Sequence, residues 1–338
     1  MNEMAQNTNL SGHNAEGGFD IDRIRQDFPV LSRQVHGKPL VYFDSGASAQ
    51  KPRAVINAMT EVLEDQYTNV HRGAHYLSQA LTDRYEGVRE KIAAFINAPS
   101  ENEIVITRNT TEAINLVAAT YGRKFLSKDD AVVISDMEHH ANIVPWQLLR
   151  DETGIELKIA PIDDRGMLDM DAYAALLDRN TKLVSMTHCS NVLGTMLPAN
   201  EIVRLAHDRS IPVLLDGSQA VVHSTVDVQD LDADFYVFTG HKLYGPTAIG
   251  VLYGKADLLA QMPPYQGGGD MIATVTYEKT TYQEPPYRFE AGTPPIVEAI
   301  GLGAAIDYVS AIGMDAIAAH EKALLAYATE RLAAMPDI

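Results

Sequence analysis

The chain has almost no cysteine. Cys189 stands alone among 338 residues, so no intrachain disulfide can form, and a reducing cytoplasm is the expected setting. Positive charge is also scarce. Lys and Arg number 27 against 45 Asp and Glu, a formal net charge of -18, which disfavours nucleic acid and anionic membrane surfaces as partners. No apolar run approaches the ~20 residues of a membrane-spanning helix. Residues 1–18 contain neither Lys nor Arg nor an apolar segment, so they do not form a signal peptide and read as a disordered polar tail. What is present is ordinary: 46% hydrophobic and 21% charged residues, enough for a large core and two lobes.

From residue 40 onward, short β-branched runs alternate with longer amphipathic ones. Strands are predicted at 40–43, 104–107, 131–135, 157–162, 183–187, 213–215, 235–238 and 249–253. Ala54, Val55, Ala58, Met59, Val62 and Leu63 make one helical face, entered through Pro52. Leu81, Tyr85, Val88, Ile92 and Phe95 make another. Strand–helix–strand order with nearly continuous apolar strands predicts an α/β fold, a mainly parallel sheet covered by helices on both faces. Ligands of such sheets bind beyond the carboxyl ends of the strands. Residues 255–295 are rich in Gly and Pro and read as an excursion that covers the site or meets another subunit. Long helical patterns follow at 297–312 and 315–335.

The segment Phe238-Thr239-Gly240-His241-Lys242-Leu243-Tyr244-Gly245-Pro246 places one lysine after a strand. Upstream, the apolar run Val213-Leu214-Leu215 ends in Asp216. Each piece alone reads as a surface lysine in a turn or a helix-capping aspartate. Together, on successive strand ends, they are the pair that pyridoxal 5′-phosphate (PLP) requires. The lysine forms a Schiff base with the aldehyde, and the carboxylate pairs with the pyridinium nitrogen. Two unit charges ~4 Å apart at an effective dielectric of ~20 interact by ~4 kcal/mol. That is worth ~3 pKa units, enough to keep the ring protonated.

Other constellations gain meaning beside that pair. Asn109-Thr110-Thr111-Glu112 opens a helix after a strand and suits a phosphate; a plain threonine N-cap is the simpler reading of it alone. Glu138-His139-His140 follows another strand and offers a flat imidazole to a ring. A metal site using His71 and His75 is disfavoured, because Arg72 occupies the place of the zinc motif's glutamate. Gly301-Leu302-Gly303 lacks a third glycine and reads as helix packing. Gly250–Lys255 has the wrong spacing for a P-loop, and Asp163-Asp164-Arg165-Gly166 is a turn.

These residues resemble the class V aminotransferase family, and within it the cysteine desulfurases of the SufS type. The matching blocks are VYFDSGASAQKP (41–52), NVHRGAH (69–75), MEHHANIVPWQ (137–147), SNVLGT (190–195), DGSQAV (216–221), DFYVFTGHKLYGP (234–246), GGGDMI (267–272) and RFEAGTP (288–294). The resemblance implies a PLP-dependent transferase of fold type I, a homodimer, that takes sulfur from L-cysteine, leaves alanine and passes a persulfide to a SufE-like acceptor for iron–sulfur cluster assembly. By the same resemblance Lys242 is the Schiff-base lysine and His139 the stacking, proton-relaying histidine. Asp216 is the pyridinium partner and Gln219 the group on the phenolic oxygen. Thr111, Thr239 and His241, with Thr110 adjacent, are phosphate ligands. Asn191 contacts the substrate carboxylate, and Thr293 reaches the phosphate of the neighbouring subunit. The implied organisation is a tail at 1–18, an N-terminal segment at 19–39 joining the small lobe, a PLP-binding domain at 40–312 and the start of a smaller domain at 313–338.

The departures are specific. The family carries its persulfide cysteine and a carboxylate-clamping arginine in a C-terminal segment, and neither is found in these 338 residues. Cys189 is expected to be a small buried hydrophobe at a strand end and no substitute. Pro295 stands where the family has Asn. Impaired sulfur transfer is therefore expected, with a non-catalytic PLP-binding relative and a selenocysteine lyase as the other readings.

Overall fold

The computed structural model describes residues 19–336. The tail at 1–18 lies outside the described residues. Seven strands form the central sheet: β1 (Ile104–Thr107), β2 (Ala131–Ser135), β3 (Glu156–Ala160), β4 (Thr181–Thr187), β5 (Val213–Asp216), β6 (Phe235–Thr239) and β7 (Gly250–Gly254). Their order across the sheet is β1-β7-β6-β5-β4-β2-β3. Only β7 runs antiparallel to its neighbours, β1 and β6. Every residue of β1, β2, β5, β6 and β7 is buried, which explains why these strands read as unbroken apolar runs. Two apolar clusters pack on opposite faces. One is centred on Leu81, Tyr85, Ile92 and Ile306, the other on Ile114, Trp146, Leu149 and Phe235.

Helix positions follow the periodicity closely. Arg53–Glu61 starts from Pro52, and Tyr76–Phe95 buries Leu81, Tyr85, Val88 and Ile92. The Gly301–Gly303 pair lies in the helix Ile296–Ile312. A Cβ at 301 would lie 2.9 Å from Met59, and one at 303 would lie 2.9 Å from Val88, so these glycines let three helices close together. Asp163–Gly166 is a turn closed by the Gly166 amide on the Asp163 carbonyl at 2.9 Å. Pro295 is the N-cap of Ile296–Ile312, where a missing N–H costs nothing. That helix and Met314–Ala333 are bent by 74° at Gly313, and no single described helix is long and apolar enough to cross a membrane.

One predicted strand is absent. Residues 40–43 form no strand; Val41 is 72% and Phe43 97% exposed. The β-branched and aromatic pattern favours extended backbone, but a strand also needs a neighbour to pair with.

Candidate active site

The carboxyl ends of β1, β2, β4, β5 and β6 converge on one cavity of about 330 Å³. It is lined by Lys242, Asp216, His139, Gln219, Asn191, Thr110, Thr111, Thr239 and His241. Nine of the ten residues selected from sequence are thus brought together from five chain segments. Thr293 is the exception. It lies in a separate cleft of about 190 Å³ with Arg108, Glu112 and Pro295.

Asp216 ends β5 and is buried. Its Oδ1 accepts from the Ser218 amide at 3.0 Å and the Ser218 hydroxyl at 2.6 Å. Both bonds fall on one oxygen, so Oδ2 is available to a ring nitrogen. Lys242 is half-buried three residues beyond β6. Burial lowers its ammonium pKa, and the Asp216 charge opposes that shift. Its loop holds Tyr244 at φ +58° and Ala248 at φ +59°, a left-handed conformation that costs non-glycine residues energy.

The helix Thr110–Val117 begins at the cavity. Its N-cap is Asn109, whose side chain accepts from the Glu112 amide at 2.8 Å. Neither threonine is spent on capping, contrary to the simpler reading of this sequence. Gly250 makes the approach possible, because a Cβ there would lie 2.5 Å from the Asn109 backbone. The Thr110 and Ser218 hydroxyls are 2.8 Å apart. Gln219 Nε2 donates to the Gly46 carbonyl at 2.8 Å, drawing Gly46 and Ala47 over the cavity, and retains a second proton. Lys51 pins the same loop, donating to the carbonyls of Ala49 and His241. Its burial lowers its pKa to about 8.

His139 precedes a 3₁₀ turn, His140–Asn142. The Ala141 amide donates to its Nδ1 at 3.1 Å, so the neutral ring carries its proton on Nε2. Burial, then the nearby Lys242 charge, lower its pKa and favour that neutral form. Cys189 differs from expectation in one respect. It lies two residues past β4, 7% exposed, yet it is among the residues lining the cavity. Burial raises its thiol pKa, with the Glu321 charge adding to the effect.

Sequence reasoning gave no role to Ser218 or Thr187, both buried and both lining the cavity. Ser218 was visible as the hydroxyl two residues past the carboxylate. Thr187, at the last position of β4, gave no signal distinct from a buried strand residue.

The cavity meets the requirements of pyridoxal phosphate. It offers an amine for the aldehyde, a buried carboxylate for the ring nitrogen, an imidazole at its wall, and hydroxyls beside a helix N-terminus for the phosphate. The fold and this donor set define a PLP-dependent enzyme of fold type I. Residues 41–338 match the aminotransferase class-V family, and the chain belongs to it. It is 56% identical to a cysteine desulfurase of Dickeya dadantii, over 95% of this chain and 78% of that protein. It is 52% identical to a cysteine desulfurase of Synechococcus elongatus, over 97% of this chain and 53% of that protein. The fold matches the crystal structure of the cysteine desulfurase CsdA from Escherichia coli with a TM-score of 0.86 and 40% identity, covering 93% of this chain and 78% of that one. A C-DES structure with glycine covalently linked to its PLP cofactor matches with a TM-score of 0.72 at 25% identity, over 86% and 74% of the two chains.

Proposed function

We propose that the chain is a cysteine desulfurase of the SufS type, working as a cytoplasmic homodimer. It takes sulfur from L-cysteine, releases alanine, and serves iron–sulfur cluster assembly through a SufE-like acceptor protein. The observation that carries this reading is the convergence of Lys242, Asp216, His139 and Asn191 on one cavity, in a chain whose relatives are named for this activity.

When bound, the cofactor supplies an electron sink for a carbanion at the substrate Cα. The residues of the chain do the rest. Asp216 holds negative charge beside the ring nitrogen. Lys242 Nζ, with its depressed pKa, takes and returns a proton at Cα. His139 delivers the proton on its Nε2 to the substrate carbon that sulfur leaves, which keeps the electron pair of the broken C–S bond. The Asn191 amide donates to the substrate carboxylate, and the hydroxyls of Thr111 and Thr239 with His241 hold the phosphate. Sulfur leaves when a thiolate attacks the substrate sulfur, forming a persulfide as the C–S bond breaks. The only thiol among these 338 residues is Cys189, buried and raised in pKa. That observation favours slow transfer by this chain alone. It also favours selenocysteine lyase as the second reading, since selenium release needs no protein thiol in some relatives. A non-catalytic PLP-binding relative is the outcome if neither substrate reacts.

The test begins with colour. Purified protein should be yellow, and borohydride should fix a phosphopyridoxyl group on Lys242. A folded protein that stays colourless with added PLP overturns the reading. Alanine formation is then measured from L-cysteine and from L-selenocysteine, with and without an added thiol acceptor. Alanine from cysteine supports the desulfurase, alanine from selenocysteine alone the lyase, and none from either the non-catalytic relative.

A further inference from the structure

Behind the wall that carries His139 lies a carboxylate that the chemistry above does not use. Glu138 is buried and does not line the cavity. Its Oε1 accepts from the Ser135 hydroxyl and, at 2.9 Å, from the Thr187 amide. Its Oε2 accepts from Asn142 Nδ2 at 2.7 Å. Ser135 ends β2 and Thr187 ends β4, so this one side chain ties two adjacent strand ends together below the site.

The orientation of the Asn142 amide is fixed by its other partners. Trp146 Nε1 can only donate, and it donates to Asn142 Oδ1 at 3.0 Å. The Ser185 hydroxyl donates to the same oxygen. Asn142 therefore cannot flip, and its NH₂ must face Glu138. The amide of Asn142 in turn donates to the His139 carbonyl at 2.7 Å, closing a ring of bonds around the turn that carries the imidazole. Position 138 thus meets donors from Asn142, Thr187 and Ser135. A carboxylate satisfies all three; a carboxamide sets its own NH₂ against one of them.

We propose that Glu138 is the positioning residue for His139: its buried carboxylate, bonded to Ser135, Thr187 and Asn142, fixes the turn that presents the imidazole to the cofactor. The role rests on the PLP reading of the cavity only for what His139 faces. The network itself belongs to the chain. Burial pushes the Glu138 carboxyl up to about 7, despite its three hydrogen bonds. A group so costly to bury is poor value as simple core filling, which an apolar side chain does better.

Trp146 is the single tryptophan, so its indole N–H gives one resonance that reports the network with or without cofactor. Two variants test the proposal. Glu138→Gln places two NH₂ groups face to face. Glu138→Gln combined with Asn142→Asp restores every donor–acceptor pair with the charge moved one link along. The readouts are the Trp146 indole resonance in apoprotein and the visible circular dichroism of bound PLP, with His139→Ala as the reference for a missing ring. The expected result is that Glu138→Gln shifts the resonance and loses most of the visible dichroism, towards the His139→Ala spectrum. The double variant should recover both, including the case in which Glu138→Gln alone fails to fold. Wild-type dichroism in folded Glu138→Gln overturns the proposal. So does a double variant whose indole resonance returns while its dichroism does not. A wild-type protein that binds no PLP overturns the reading of the cavity instead and leaves the indole comparison standing as the test of the network.

Discussion

Asp216 is bound twice by Ser218, through the backbone amide at 3.0 Å and the hydroxyl at 2.6 Å, both on Oδ1. The serine hydroxyl has one proton and gives it to the carboxylate. Thr110, 2.8 Å away, must therefore donate to Ser218. A chain of donors runs from the first residue of the helix Thr110–Val117 to the carboxylate at the end of β5, and every link is buried.

Ser218→Ala should cost about 1.5–3 kcal/mol, the range for a hydrogen bond to a charged group, measured by urea unfolding of the apoprotein. Asp216→Asn should cost chemistry more than stability. Removing ~3 pKa units of support for the protonated ring predicts about a thousandfold slower alanine formation with PLP still bound. Near-normal turnover would mean that another group partners the ring nitrogen.

At the opposite end of the sheet, His207 lies between two carboxylates, Nε2 at 2.7 Å from Asp234 and Nδ1 at 3.0 Å from Asp232. The Asp234 bond raises its pKa above the usual value. A raised folded pKa stabilises the protein fully below the unfolded value of about 6.5, and that contribution disappears as pH climbs through the folded pKa. Thermal stability of the wild type should therefore fall with rising pH just above 6.5, and His207→Gln should flatten that slope. An unchanged slope would assign it to other groups.

The site was legible where its chemistry sat at strand ends. Lys242 and Asp216 follow the apolar runs of β6 and β5, and in a parallel sheet that alone puts them on one edge. What could not be read was pairing across long sequence separations. Glu138 meets Thr187 49 residues away, and Thr110 meets Ser218 108 residues away. The strand expected at 40–43 failed for the same reason, since local pattern does not say whether a partner exists. Asn109, and neither threonine, is the cap of that helix; both residue types cap helices, and only the backbone decides which of two neighbours stands half outside.

Thr293 lies outside the cavity of its own chain, in a cleft with Arg108 and Pro295. If it serves the phosphate of a second copy, two chains must associate, and sedimentation should give about twice the 37.0 kDa chain mass. Thr293→Ala should then weaken PLP retention in the dimer without altering the fold. A monomer with full PLP occupancy would withdraw the role of Thr293.

Cys189 is the one thiol among these 338 residues. A persulfide forms on a thiolate that can reach the substrate sulfur, and both a low pKa and access govern such thiols. Cys189 has the proximity, since it lines the cavity with Lys242 and Asn191. It has neither of the other requirements. Its sulfur lies 3.9 Å from the carbonyls of Ser190 and Gly194, acceptors that favour the protonated thiol, and burial raises its pKa further. The 338-residue chain should therefore yield little sulfide from L-cysteine, and Cys189→Ser should not change that yield. Activity in the wild type that is lost in Cys189→Ser would make Cys189 the nucleophile and show that the loop at 190–195 opens during turnover. Equal, robust activity in both would point to release without a protein thiol. Low activity in both, raised equally by an added thiol acceptor, is the expected result.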